Sequence, residues 1–278
     1  MSARLGAVSY LNARPLTVAL GDGEGDFELA YSVPSRCAAD LHAGRIDAGL
    51  IPSIEYARSL EPYCIVPEVA IGARGEVLTV RLFWRGELGR IQRVALDTGS
   101  RTSACLLRIL LREQYGLEPE FVEAKPDLKE MLREADAALI IGDAVFAVDG
   151  DGIESLDLGR EWVGMTGHPF VFAFWAGRPE ALNPGQVEAL IAGRDAGLSR
   201  VVAVAADFAR RSGYGQSPEF YARYLIDHIR FELGTAELKG LATFYRLAAE
   251  HGLIEAAPEL RFYERARGRE SDRLAAGG

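Results

Sequence analysis

Between Leu5 and Ser59 the chain carries three apolar runs, each followed at once by a helix start. Leu5-Gly6-Ala7-Val8-Ser9 reads as a buried strand running into a turn and a short helix, with Asn12 as its N-cap and Pro15 tolerated in its first turn. Phe27 to Val33 alternates apolar residues as a strand does, and Pro34-Ser35 then opens a helix through Leu41 that Gly44 stops. Ile46 to Ile51 is a third strand, and Pro52-Ser53 opens a third helix through Ser59. Successive strand-then-helix units cross over right-handedly and align their strands in a parallel sheet. The helix starts at Asn12, Ser35 and Ser53 then gather along the carboxyl edge of that sheet, where open α/β sheets bind ligands. None of these starts carries a dinucleotide glycine fingerprint or a P-loop, so nucleotide binding has no support. Arg14, on the first helix, reads as a solvated surface charge.

The middle of the chain repeats the plan. Val77 to Trp84 reads as an extended connection into Arg93 to Leu96, the first strand of a second sheet. Pro119 to Val122, Ala137 to Ile141 and Ile153 to Leu156 supply further strands, with a helix over Asp127 to Arg133. A longer helix is predicted over Thr102 to Tyr115: Leu106, Leu107, Leu110 and Leu111 line one side, Arg108, Arg112 and Glu113 the other, and Gly116 ends it. Its approach, Leu96-Asp97-Thr98-Gly99-Ser100-Arg101-Thr102-Ser103, is unusual. A helix start has unpaired N–H groups and partial positive charge. One hydroxyl suffices to cap it, and Ser100 or Thr102 would serve. This stretch offers four hydroxyls, with Arg101 able to grip a carboxylate through two N–H bonds, which favours an anion site. Ile141-Gly142-Asp143-Ala144 brings a second set of backbone N–H groups to the same edge, with Asp143 either a helix cap or a site residue.

Pro169 to Trp175 is a dense apolar strand suited to crossing back to the first lobe. The last third is helical: one long helix from Asn183-Pro184 to about Arg211, bent at Gly193 and Gly197, another from Ser217-Pro218-Glu219, and a third from Thr235 to His251. In the third, Leu238, Leu241, Ala242, Tyr245 and Ala249 share a face that reads as core packing. Arg267 to Gly278 reads as a frayed tail. Two α/β lobes joined by two extended crossings, with C-terminal helices returning to the first, resemble the type II periplasmic-binding-protein fold, whose ligand cleft lies between lobes. Residues 1–78 with 177–278 are expected to form the first lobe, and residues 79–176 the inserted second lobe.

Charge narrows the partners. The net charge is −9 with no basic run, which disfavours a nucleic-acid surface. An anion must then be met by local positive potential at helix starts and single arginines. Cys37, Cys64 and Cys105 follow no metal-ligand spacing, and no metal or cofactor is expected. An unpaired cysteine set fits a reducing compartment. No apolar run is long enough for a membrane span, and Met1 to Arg4 carries no secretory leader pattern, so the cytoplasm is expected.

Specific residues then carry a resemblance. Val8-Ser9-Tyr10-Leu11-Asn12-Ala13-Arg14-Pro15-Leu16, Gly49-Leu50-Ile51-Pro52-Ser53-Ile54-Glu55-Tyr56 and Leu96 to Ser103 resemble, in order, signatures of the chorismate dehydratases of the futalosine route to menaquinone. Ile141 to Ala144, Thr166-Gly167-His168-Pro169-Phe170-Val171-Phe172-Ala173, Leu238-Lys239-Gly240-Leu241 and Phe244-Tyr245 extend the match through most of the chain. His168 stands where that family usually has an aliphatic residue, which argues against a shared catalytic role. Thr79 stands where a serine is common and keeps the hydroxyl. The resemblance implies loss of water from chorismate, a dicarboxylate, to give 3-[(1-carboxyvinyl)oxy]benzoate. It implies Asn12 at the reacting region with Thr79 as polar partner, Ser100, Arg101, Thr102 and Ser103 on a carboxylate, and Ser53 and Asp143 as further substrate-binding candidates. The elimination leads to an aromatic ring, so the protein mainly positions substrate and stabilises charge. That suits a chain with no nucleophile–base pattern, and a substrate carboxylate would serve as proton acceptor.

Two other readings stay open at this level. The fold and sparse acid–base equipment suit a non-catalytic receptor or sensor for a small anion. The sister enzyme that forms a dihydroxynaphthoate in the same pathway is the nearer alternative, although its opening motif differs from Ser9 to Leu16.

Overall fold

The computed structural model describes residues 2–21, 27–148 and 152–266; the tail expected from Arg267 onward lies outside them. In chain order the elements are β1 (Ala3–Val8), a 3-10 helix (Leu11–Leu16), β2 (Phe27–Ser32), α1 (Pro34–His42), β3 (Ala48–Pro52), α2 (Ser53–Ala57) and β4 (Cys64–Ala73). Then come β5 (Val80–Trp84), β6 (Arg93–Asp97), α3 (Thr102–Tyr115), β7 (Glu120–Ala124), α4 (Leu128–Glu134), β8 (Ala137–Ile141), a second 3-10 helix (Gly142–Ala147), β9 (Glu154–Asp157) and α5 (Leu158–Thr166). β10 (Phe170–Gly177) is followed by α6 (Pro184–Leu198), α7 (Val201–Ser212), α8 (Pro218–Arg223), a π-helical turn (Tyr224–His228) and α9 (Thr235–Glu250).

The two sheets share one plan. The first has the order β2-β1-β3-β10-β4 and the second β7-β6-β8-β5-β9. In each, the first three strands of the order pair in parallel and the fourth runs antiparallel to both its neighbours, so four of the five strands share one direction. The central strands β1, β3, β6 and β8 are almost wholly buried, as parallel strands covered on both faces must be. Each is followed directly by a helical turn, so four strand-to-helix turns, two per sheet, converge on the space between the sheets.

Several expectations need correction. Val80 to Trp84 is not a connection but a full member of the second sheet, paired with β8 and β9, because Val80, Leu82, Phe83 and Trp84 all bury. The Pro169 to Trp175 run does not cross between lobes: β10 lies wholly in the first sheet, so the return crossing precedes Phe170. β4 and α5 were not foreseen. The helix from Asn183 is two helices, broken at Ser199–Arg200 rather than bent at its glycines. Gly193 and Gly197 serve contact instead. A Cβ on Gly197 would stand 1.7 Å from the Pro15 carbonyl oxygen, so only glycine lets α6 lie against the Leu11–Leu16 helix.

The crossings are pinned by side chains. Asp157, 3% exposed, accepts the N–H groups of Val77 (3.0 Å) and Leu78 (2.8 Å) on the outgoing crossing while also capping α5 through Arg160 N–H. Leu78 sits at φ +64, a conformation that costs a branched side chain and that this grip sustains. The second sheet is also anchored to the C-terminal helices by Phe146. Its ring packs edge-on or tilted against those of Phe208, Tyr214, Phe220, Tyr221 and Tyr224, at centroid distances from 5.2 to 6.3 Å.

Gly197→Ala is expected to destabilise the fold by about 1–3 kcal/mol through overpacking, lowering the thermal midpoint by roughly 2–4 °C for each kcal/mol. A melting curve superimposing on the parent's would show that α6 and the first helix do not depend on this approach.

Candidate active site

Between the sheets lies a cleft of about 550 Å³, counting the solvent in its open mouth. Its floor and walls are mostly apolar: Val8 and Ile71 from the first sheet, Val80 and Ile141 from the second, and Phe172 on β10. Polar lining comes from Tyr10, Asn12, Arg101, Thr102 and Ser103.

The four helical turns differ in how their N–H groups are met. The Leu11–Leu16 helix has Tyr10, not Asn12, at its N-cap position, and no side chain of its own caps it. Instead the Asp143 carboxylate reaches across from the second sheet and accepts the Leu11 N–H at 2.9 and 3.1 Å. Asp143 is therefore a cap, but of a helix 132 residues away in sequence. At α2 the cap position is Pro52, and the Ile54 N–H goes to Thr102 Oγ1 on the other sheet at 3.2 Å. At the second 3-10 helix the cap position is Ile141, and the Gly142 N–H goes to the Thr79 carbonyl at 2.8 Å; at α1, which follows β2 and is not one of the four, Val33 rather than Ser35 holds the cap position.

The start of α3 is different. Its N-cap is Arg101, with no side-chain hydrogen bond to the helix. Ser100 Oγ is buried without a partner, although the Ser100 and Gly99 N–H groups turn inward to the Asp97 carbonyl and carboxylate, both at 2.8 Å. The Arg101 guanidinium is partly exposed, 4.0 Å from Glu123. A fourteen-residue helix thus brings its uncapped positive end and the Arg101 guanidinium to one apolar cleft, with the unpartnered Ser100 hydroxyl buried next to them in the chain. Of the hydroxyls expected here, Thr102 is engaged by Ile54 and lies 3.4 Å from Ser53 Oγ, while Ser103 lines the cleft.

Ser53 is fully buried; its hydroxyl donates to the Val171 carbonyl at 2.8 Å, and Tyr245 donates to its own carbonyl at 2.6 Å. Thr79 is also fully buried. Its carbonyl takes the Gly142 N–H and its hydroxyl lies 2.8 Å from the Tyr224 hydroxyl. Asn12 lines the cleft, whereas the buried Thr79 is not among the residues that line it.

Two residues that sequence reasoning did not single out shape the site. Tyr10 inserts between the sheets against Gly142. That glycine adopts φ +65, and a Cβ there would lie 2.6 Å from the Tyr10 ring. Burial, then the Asp97 and Asp143 charges, push the Tyr10 phenol well above its ordinary range, so it stays protonated. Tyr224 sits in an aromatic-rich helix with no local signal separating it from core packing. The position of Tyr10 inside the Ser9 to Leu16 motif was its only mark.

Burial raises Asp143 to about 7, against the lowering effects of the Leu11 N–H and the Arg14 charge. Its folded pKa exceeds the unfolded value, so its contribution to stability is full below about pH 4 and is lost as pH rises toward 7. Asp143→Asn keeps an acceptor for Leu11 but cannot ionise. Relative to the parent, the variant should gain stability between about pH 4 and 7, by roughly 1–4 kcal/mol, and hold that difference above it. Urea midpoints at about pH 5 and pH 8 check this, and a parent–variant difference independent of pH would contradict it.

Comparisons with known proteins agree with this architecture. A family described as menaquinone biosynthesis matches residues 3–250. A chorismate dehydratase of Thermus thermophilus is 33% identical over 258 residues, covering 86% of this chain and 93% of that protein. Among solved structures, a protein from Archaeoglobus fulgidus superposes with a TM-score of 0.76 at 18% identity, covering 91% of this chain and 98% of the other. The periplasmic aliphatic sulphonate binding protein of Escherichia coli gives 0.64 at 17%, covering 96% and 94%. The two-lobed α/β fold is thus that of the periplasmic binding proteins, and the chain belongs to the menaquinone-biosynthesis family.

Proposed function

We propose that this protein is a chorismate dehydratase, a hydro-lyase that eliminates water from chorismate to give 3-[(1-carboxyvinyl)oxy]benzoate. The observation that carries the reading is the start of α3, where an uncapped helix end, Arg101 and Ser103 line an apolar cleft. The likeness to a curated chorismate dehydratase over most of the chain supports the choice of substrate.

In this reading one substrate carboxylate lies on the α3 start, against Arg101, Ser100 and Ser103. The ring occupies the apolar space between Val8, Val80, Ile141 and Phe172. Asn12 faces the reacting region, and its amide can donate to the oxygen that departs. The second substrate carboxylate takes the ring proton, and the electron pair released from that C–H bond expels the hydroxyl as the ring becomes aromatic. The protein lowers the barrier by holding the diacid in one geometry in a low-dielectric space. Asp143 and Thr102 support the site by fixing the helix starts rather than by gripping substrate, and Ser53 ties α2 to β10. The two lobes follow the expected division into residues 1–78 with 177–278 and residues 79–176, except that β10 (Phe170–Gly177) goes with the first lobe, whose sheet it completes. We take the reaction to run in the cytoplasm; among the described residues no helix is long and apolar enough to cross a membrane.

Incubation of the pure protein with chorismate, followed by loss of its absorbance, tests the reading directly. Binding without turnover would make the protein a small-anion receptor instead. Arg101→Ala should raise KM for chorismate about tenfold or more, the loss of a charge-assisted hydrogen bond worth roughly 1.5–3 kcal/mol, with the melting temperature unchanged. Asn12→Asp removes the amide donor and adds a negative charge beside a dianion. It should fold normally and turn over chorismate at least about a hundredfold more slowly; turnover at the parental rate would remove Asn12 from the chemistry.

A further inference from the structure

Tyr10 starts in the first lobe and ends in the second. It follows β1 closely, at the N-cap position of the Leu11–Leu16 helix. Its ring runs along Gly142, where a Cβ would stand 2.6 to 2.8 Å from three of its carbons. Its hydroxyl ends beside Gly99, 3.2 Å from where a Cβ would stand there. Both neighbours are glycines, and Tyr10, Gly99 and Gly142 all line the cleft. The phenol oxygen thus arrives at the approach to α3, next in the chain to Ser100 and Arg101. A larger residue at either glycine would crowd the tyrosine.

A phenol held there needs an acceptor for its proton, and the protein supplies none. The nearby carboxylates are occupied by backbone: Asp97 accepts the Gly99 N–H at 2.8 Å and the Ile141 N–H at 3.4 Å, and both Asp143 oxygens accept the Leu11 N–H. Among the described residues no hydrogen bond engages the Tyr10 hydroxyl. An unpaired donor between apolar walls is costly, so the acceptor must come from what fills the cleft. The uncapped helix end and Arg101 beside it select an anion as that acceptor. A carboxylate has about four lone-pair sites, so a guanidinium and helix N–H groups leave room for one more donor. We propose that the Tyr10 hydroxyl is a substrate-binding donor, giving a hydrogen bond to the carboxylate seated at the α3 start. The inference rests on the dehydratase reading and deepens it: a carboxylate site otherwise built from the second lobe gains a contact from the first. The bound carboxylate is then held from both lobes at once, by a charged group on one side and a neutral one on the other.

Tyr10→Phe removes the hydroxyl and keeps the ring against Gly142. Its KM for chorismate should rise about ten- to a hundredfold, the loss of one hydrogen bond to a charged group. kcat should change less than about threefold, because the contact is made in the ground state and the transition state alike. The Kd of the product, 3-[(1-carboxyvinyl)oxy]benzoate, measured by calorimetry, should rise by a similar factor. A KM and Kd within about twofold of the parent's would overturn the inference, and so would a fall in kcat with KM unchanged. Should Tyr10→Phe fold poorly, a crystal structure of the parent with the product bound decides the contact itself. The phenol oxygen should lie within about 3 Å of a carboxylate oxygen, and a phenol out of hydrogen-bond reach of the ligand would overturn the proposal. The two readings fail differently. A parent that neither binds nor converts chorismate brings both down, whereas an active parent with an indifferent Tyr10→Phe removes only the tyrosine contact.

Discussion

Everything at the cleft follows from how the chain meets the N–H groups left bare at its strand-to-helix turns. Parallel strands bring those turns to one edge of each sheet, and two sheets face each other there. Buried N–H groups need acceptors. The Leu11 and Ile54 groups find theirs on the opposite sheet, in Asp143 and Thr102. The same bonds that complete the helices of one sheet therefore hold the other sheet in place. The start of α3 has no side-chain cap, and among the described residues Arg101 is the positively charged one that lines the cleft beside it.

This division explains how a protein of net charge −9 presents a site for a dianion. The acidic groups nearest the cleft are consumed: Asp97 holds the Gly99 N–H, and Asp143 holds that of Leu11. Burial shifts both toward the neutral form, which lessens their repulsion of a bound carboxylate. The apolar walls strengthen what the helix end and the guanidinium offer, because charge interactions are less screened away from water.

Much of this could be read from the chain before its structure. The strand-then-helix rhythm gave the parallel core of both sheets, and the excess of hydroxyls before Thr102 marked the α3 start, because both signals are local. What could not be read was long-range. Asn12 looked like a cap because asparagine before a helix usually is one; Asp143, far along the chain, took that role and freed it. The antiparallel strands β5 and β10 were read as connections, since an apolar run says that a segment is buried but not with which sheet it pairs. Gly193 and Gly197 looked like bends because nothing in α6 reveals that the first helix presses against it. Tyr224 was indistinguishable from its aromatic neighbours until its hydroxyl had a position.

The interrupted order of the first sheet also has a bearing on synthesis. Its strands β1, β3 and β4 emerge early, but β10, which joins β3 to β4, is made only after the whole second sheet. Until then β3 has an open edge on one side, and β4 has no partner in its sheet. Open edges of that kind invite pairing with other chains. On the ribosome the second sheet, contiguous from Val80 to Asp157, has all its strands while the first still waits for one. A nascent chain of this topology passes through a state in which one half is ready to fold and the other is a sticky fragment, and the later strand is what resolves it.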